Sequence, residues 1–395
     1  MTQKQKFEVK QSQFGSHSPS TRLAQYMCQG MINTFAGWLS FVVLCLILLS
    51  GCQDDQGASS QPKSVSSSIK SENVKQEERQ EFERCLKAAE SGDVEEQINI
   101  AAMYYRGEGV EQDHIQAAKW FRKAAEQDDS DAQNQIGSLY YEGKGVERDL
   151  AQAMNWFRNA AEQENAEAQF NLGTMYYNGE GTKQDHAQAA KWFQKAAEQG
   201  FVDAQFLLGT MYANGEGVKQ DHIQAIKWYR KAAEQGDADS QHNLGHSYAT
   251  GKGVEQDYEK AIKWYRKAAE QGDIDSQYNL GELYASGKDV KQDYAKAIKW
   301  YRKAIEQGDA GAQHNLGIMY YKGEGVKQDH KQAFELFRKS AEQGIPNAQF
   351  IVGAMYYNGI AIKRDQNQGI KLIRKAARQG HQTAIQTLTD LGANP

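Results

Sequence analysis

Residues 202–236 read VDAQFLLGTMYANGEGVKQDHIQAIKWYRKAAEQG. Before the glycine-rich centre, Ala204, Leu208, Gly209 and Tyr212 follow spacings of four, one and three; beyond it, Ala225, Trp228, Tyr229, Ala232 and Ala233 do much the same. These are the i, i+3, i+4, i+7 and i+8 positions of one buried helical face. The stretch predicts helix A over 202–214, a turn over 215–220 and helix B over 222–235.

The unit is not alone. Trp228 belongs to a series with a 36-residue stride: Trp120, Trp156, Trp192, Trp228, Trp264 and Trp300, continued by Leu336 and Leu372. Gly209 belongs to another with the same period, Gly137 to Gly353, preceded by Ala101 in the first copy. Eight copies result. Self-similarity at such a period marks a solenoid, in which each unit buries its apolar face only against its neighbours. With Gly209 and Ala232 small enough for close helix approach, Trp228 is expected to fill the gap beside them.

Each helix carries start and stop signals. Asp221 precedes helix B, and Asp113, Asp149, Asp185, Asp257, Asp293, Asp329 and Asp365 hold the same place. A capping carboxylate bonds free N–H groups and complements the helix dipole, worth about 1 kcal/mol per helix. Gln224 three residues later completes a capping-box pattern. Asp237, Asp273 and Asp309 are expected to cap helix A. Gly215 recurs in all eight copies, where a residue of positive φ ends helix A. Gly217 recurs in most, but Asp289 and Ala361 replace it, so those two turns are expected to differ.

The 395-residue chain has a formal net charge of −5 with acids and bases interspersed, which argues against nucleic acid as a partner. Its four cysteines, Cys28, Cys45, Cys52 and Cys85, offer no disulfide framework or metal cluster within the array. No charged residue lies between Arg22 and Asp54, and an apolar run from Phe41 ends in Leu49, Ser50, Gly51 and Cys52. With the basic residues upstream, this has the layout of a secretory signal. An uncleaved membrane anchor over residues 31–50 is the alternative. Behind Cys52 a serine-rich stretch is too polar to fold, giving a tether over 52–76 with a reach of about 25–30 Å.

Two resemblances follow. The ending at Cys52 resembles a bacterial lipobox, which implies a signal peptide over 1–51 and acyl chains on Cys52; several such chains give near-permanent anchoring. Gln53, not aspartate, follows the cysteine, which by the same resemblance favours the outer membrane, facing the periplasm. The series Ala204, Leu208, Gly209, Tyr212, Gly215, Gly217, Val218, Asp221, Ala225, Trp228, Tyr229, Lys231, Ala232, Ala233, Gln235 and Gly236 resembles the Sel1-like repeat, a relative of the tetratricopeptide repeat. This implies an all-α, right-handed α-solenoid of eight helix-turn-helix repeats over 93–380. A lone helix over 77–92 and a truncated helix A over 381–395 would cap its ends.

No catalytic motif stands out. Ser60 to Lys63 and Ser67 to Lys70 match a serine-lysine spacing by chance within a polar tether. His114, His186, His222 and His330 share a column with Leu150, Tyr258 and Tyr294, a pattern of packing and not of ligation. His242 and His246 form an i, i+4 pair near Glu282, a weak basis for a metal, and no metal or cofactor is expected.

By the resemblance, residues aligned with Asp203, Phe206, Thr210 and Ala213 face the concave surface. Across the copies they give an aromatic row, Phe170, Phe206, His242, Tyr278, His314 and Phe350. Beside it stand Tyr105, Tyr141, Tyr177, Tyr321 and Tyr357, with Ala213, Ala249 and Ala285 between them. Three alanines predict a wider pocket, and aromatic anchors around a recess concentrate binding energy. The row, with His246 and Glu282, is the expected groove for a protein or peptide; packing of these rings between A helices is the alternative. The expected function is a membrane-tethered, non-enzymatic adaptor of the bacterial cell envelope. A cell-wall enzyme or penicillin-interacting protein and a small-ligand sensor are the alternatives.

Overall fold

The computed structural model describes residues 63–287 and 290–393. The expected signal peptide, the lipidation site Cys52, the start of the tether and Asp289 lie outside them.

The described residues form eighteen helices and no strand. Helix α1 is Lys63–Glu90. Pairs of A and B helices follow: α2 Val94–Arg106 and α3 His114–Ala125, α4 Ser130–Glu142 and α5 Leu150–Glu162, α6 Ala166–Asn178 and α7 His186–Glu198. Next come α8 Val202–Asn214 and α9 His222–Glu234, α10 Ala238–Thr250 and α11 Tyr258–Glu270, α12 Ile274–Ser286 and α13 Tyr294–Glu306. The last are α14 Ala310–Lys322 and α15 His330–Glu342, α16 Pro346–Asn358 and α17 Gln366–Arg378, then α18 Gln382–Asp390. The architecture is an α-solenoid of helical hairpins. The described residues up to 228 and those from 229 onward form two units, divided within α9. Among the described residues no helix is long and apolar enough to cross a membrane.

Helix α1 differs from the expected boundary, since it begins within the tether and not at residue 77. Residues 63–90 contain no glycine or proline and are rich in lysine, glutamate and glutamine, so nothing breaks the helix despite the serines. Its C-terminal part covers the first repeat, with Phe82, Cys85 and Ala89 buried and the Phe82 ring 5.2 Å from that of Tyr104. At the other end, α18 buries Ala384 and Leu388.

Caps form as expected in most copies. Asp237, Asp273 and Asp309 accept from the N–H three residues on, as do Asp93, Asp129 and Asn165. Phe201 and Ile345 hold the same place without a side-chain cap bond. Before helix B, Asp113 Oδ1 accepts from Ile115 and Gln116. The second arm of the capping box is displaced, because the Asp113 N–H is donated to Tyr104 O at 2.9 Å, and its counterparts to Tyr140, Tyr176 and Tyr212 do likewise. That bond pins the turn back onto helix A. At the substituted turn, Ala361 keeps the left-handed conformation, φ +63°, and packs against the core of the last copies. The expected difference in that turn does not arise in its backbone.

Tryptophan is not the residue that fills the gap at the helix A glycine. A Cβ on Gly137 would meet Phe157 at 2.8 Å, and one on Gly173 would meet Phe193 at 2.8 Å. In the second unit Tyr265, Tyr301, Phe337 and Ile373 oppose Gly245, Gly281, Gly317 and Gly353. In these copies the residue after the tryptophan, or after the leucine in its place, occupies the closest approach. Trp156, Trp192 and Trp264 are only half-buried, and Lys195 Nζ lies 4.3 Å over the Trp192 ring.

A polar ladder runs through the core. Gln169 Nε2 donates to Ala161 O at 3.1 Å, and its Oε1 accepts from Gln199 Nε2 at 2.9 Å. Gln241 repeats this with Ala233 O and Gln271. In these copies one buried amide on helix A therefore ties together the ends of consecutive B helices, satisfying groups that burial would otherwise leave costly.

Candidate functional site

Two of the six residues of the aromatic row are interior, and the other four are half-buried. Phe170 and Phe206 are 1% and 5% exposed, so neither lines a surface. The physical reason is the register: at Phe170, His242 and Phe350 the row residue meets the N-cap residue of the next helix A, 31 positions on. Phe170 lies 5.0 Å from Phe201, and Phe350 stacks 4.9 Å from His381. Truncating Phe206 would open a cavity and report on packing, not on binding. His314, half-buried and 5.5 Å from Phe337, has no hydrogen-bond partner at Nδ1, and burial lowers its pKa.

His242 occupies the same register with polar chemistry. Its Nδ1 lies 2.9 Å from Ser276 Oγ and 3.2 Å from Asp273 Oδ1. Burial would lower its pKa, but the Asp273 bond and charge, with Asp275 and Asp239, raise it. Asp273 is held below the usual range against the opposing effect of burial by the same histidine and by Ser276. His242 Nδ1 is thus engaged by a carboxylate, and among the described residues no group of three or more His, Cys, Asp or Glu side chains is gathered around the pair with His246 so as to hold a metal ion.

His246 and Glu282 do come together, in the second unit. They line a cavity of about 530 Å³ with Ala249, Tyr258, Tyr265, Asn279, Leu283, Ala285, Ser286 and Tyr301. The expected widening at consecutive alanines is realised at Ala249 and Ala285; Ala213 belongs to the other unit.

The other copies show why space opens here. Where the column holds tyrosine, its ring packs on the residue after the helix B cap, as in Tyr177 over His186 at 4.8 Å and Tyr321 against His330 at 4.7 Å. The hydroxyl reaches the next turn, with Tyr177 donating to Glu216 at 2.9 Å and Tyr141 to Glu180 at 2.6 Å. Alanine removes both contacts. Tyr258, standing where a stacked histidine would be, then forms a wall.

Tyr278 is half-buried beside the recess and donates to Glu282 Oε1 at 2.8 Å. Burial, first, and the Glu282 charge raise its pKa. His246 is shifted the other way, its pKa lowered by burial and then by His242 and Lys252. Tyr258, Tyr265 and Tyr301 escaped the sequence reading because they lie in columns assigned to packing. One signal was available: Ala249 and Ala285 are followed nine residues on by Tyr258 and Tyr294, where three tyrosine-bearing copies have histidine.

The Sel1 repeat model matches eight consecutive segments from residue 97 to residue 381. Among solved structures, c5321, a protective antigen present in uropathogenic Escherichia coli strains and displaying an SLR fold, is 40% identical with a TM-score of 0.75, covering 79% of this chain and 67% of its own. A Sel1 repeat protein from Oxalobacter formigenes is 30% identical with a TM-score of 0.61, covering 87% and 99%. No curated protein gives a significant match. With eight repeat matches and the helical hairpins they describe, the chain belongs to the Sel1 repeat family.

Proposed function

We propose that this chain is a protein-binding scaffold without catalytic activity that holds an extended partner segment at the recess of α10 to α13. The carrying observation is the cavity of about 530 Å³ at Ala249 and Ala285, a size typical of ligand sites, in a column that elsewhere is filled by tyrosine. A buried aromatic wall beside a polar rim is where binding energy concentrates. Restoring the tyrosine tests this. A photocrosslinker at Asn279 should capture a partner in native membranes, and Ala249→Tyr with Ala285→Tyr should abolish that capture while leaving helicity unchanged. Equal capture by the filled variant would remove the reading. Covalent labelling of the purified protein by a fluorescent penicillin would overturn its non-enzymatic part.

The same proposal places the scaffold on a bacterial envelope membrane, at the outer membrane facing the periplasm, through acyl chains on Cys52. It rests on the sequence from Leu49 to Cys52 and on Gln53. Mass spectrometry of the mature N-terminus tests it, since an intact peptide spanning residues 45–60 is incompatible with cleavage before Cys52.

A further inference from the structure

The chemistry of the recess is one-sided. Its aromatic lining is the half-buried Tyr258, whose ring can present an electron-rich face, with small parts of Tyr265 and Tyr301, each 2% exposed. Its one carboxylate is Glu282, on an exposed side chain; Oε1 accepts from Tyr278 at 2.8 Å and from Asn315 at 3.4 Å, while Oε2 accepts from none of the described residues. Its only basic lining group is His246, whose lowered pKa leaves it neutral near pH 7. Lys252, which acts on His246, is exposed and is not part of the lining. Asn279 and Ser286 add neutral polar atoms to the wall.

A tyrosine ring and a carboxylate lining one recess complement an organic cation, through the ring quadrupole and through a charge-assisted hydrogen bond. An acidic side chain would meet Glu282 and no fixed positive charge, and a purely apolar one would cover Glu282 Oε2 and Asn279 without offering them a partner. We infer that the recess takes a cationic side chain, lysine or arginine, from the extended partner segment, seated against the Tyr258 ring with its charge on Glu282. This rests on the peptide-binding reading above.

The test uses fluorescence anisotropy on the purified protein with labelled degenerate nonapeptides, acetylated and amidated, whose central residue is fixed as Arg, Lys, citrulline, norleucine or Glu. Pools centred on Arg or Lys are expected to bind about tenfold more tightly than those centred on citrulline or norleucine. Glu282→Gln should reduce that preference to about twofold or less, and Glu282→Lys should turn it toward the Glu pool. Equal binding of the Arg and citrulline pools, lost in both cases in Ala249→Tyr, would overturn the cation while keeping the peptide site. Absence of binding by every pool, or binding indifferent to Ala249→Tyr, would overturn both.

Discussion

His242 and Asp273 join consecutive A helices across 3.2 Å, the histidine on α10 reaching the residue that caps α12. Asp273 accepts from the Ser276 N–H at 2.7 Å while facing the imidazole, so one carboxylate starts a helix and holds a charge from the neighbouring copy. The surrounding groups are His246 and Asp239 on α10, Asp275 and Ser276 on α12, and the Tyr265 ring, 5.5 Å away.

This pair should make stability depend on pH with a definite sign. The folded pKa of His242 is raised above 6.5, so its contribution is complete below that value and is lost as pH rises through the folded one. The lowered pKa of Asp273 gives a contribution present above 3.8 and lost as pH falls through the folded value. His246 acts oppositely to His242, its lowered pKa costing stability as pH falls through 6.5. His242→Asn is therefore expected to be less stable than wild type by about 1.5–3 kcal/mol near pH 6, with the gap narrowing as pH rises above 6.5 through the folded value. Thermal melts across that range check this, and a gap independent of pH would exclude the charged pair.

The amide ladder should tolerate loss of its outer member better than its inner one. Gln241 is buried and serves two bonds, whereas Gln271 is exposed. Gln241→Ala should cost about 1–3 kcal/mol, counting two lost bonds in a buried site, and Gln271→Ala about 0.5–1.5 kcal/mol. Urea unfolding of the two variants measures the order, and the reverse order would contradict the ladder.

Gly281→Ala should strain the tightest contact between α12 and α13. A Cβ there would overlap the ring of Tyr301, itself almost fully buried. A loss of about 1–3 kcal/mol is expected by circular-dichroism melting. Gly353→Ala provides the comparison: a Cβ there would meet Ile373 Cγ1 at 2.8 Å and the Gly369 carbonyl at 2.9 Å, so backbone must shift and no smaller loss is expected.

Cys85 should be inert in the folded chain. It is 3% exposed, and burial together with Glu96 and Glu81 pushes its thiol up to about 12. Alkylation followed by peptide mass spectrometry should show it reacting at least about a hundredfold more slowly than in denaturant at pH 8.

The stride of Trp228 and Gly209 made the hairpin, its turn and the number of copies legible, because a buried helical face and a left-handed helix end each demand a narrow set of residues. The glutamine column of Gln169 and Gln241 was equally regular and went unread, since a polar residue carries no hydrophobic period. His246, Glu282 and the alanines at 249 and 285 were legible as a gap in a tyrosine column. The Phe170 and Phe206 part of the row was not, since its spacing is the same whether a ring faces solvent or the cap of the next helix.

By itself the sequence determined the all-α repeat, its eight copies and most of its caps. These follow from chain-local physics, namely helical period, backbone freedom and solvation. Only tertiary structure decided which ring meets which glycine, that Asp113 spends its N–H on the preceding helix, and that two alanines leave a recess walled by Tyr258, Tyr265 and Tyr301. Those outcomes depend on how one copy docks on the next, where distances of a few ångströms separate a filled core from an open site.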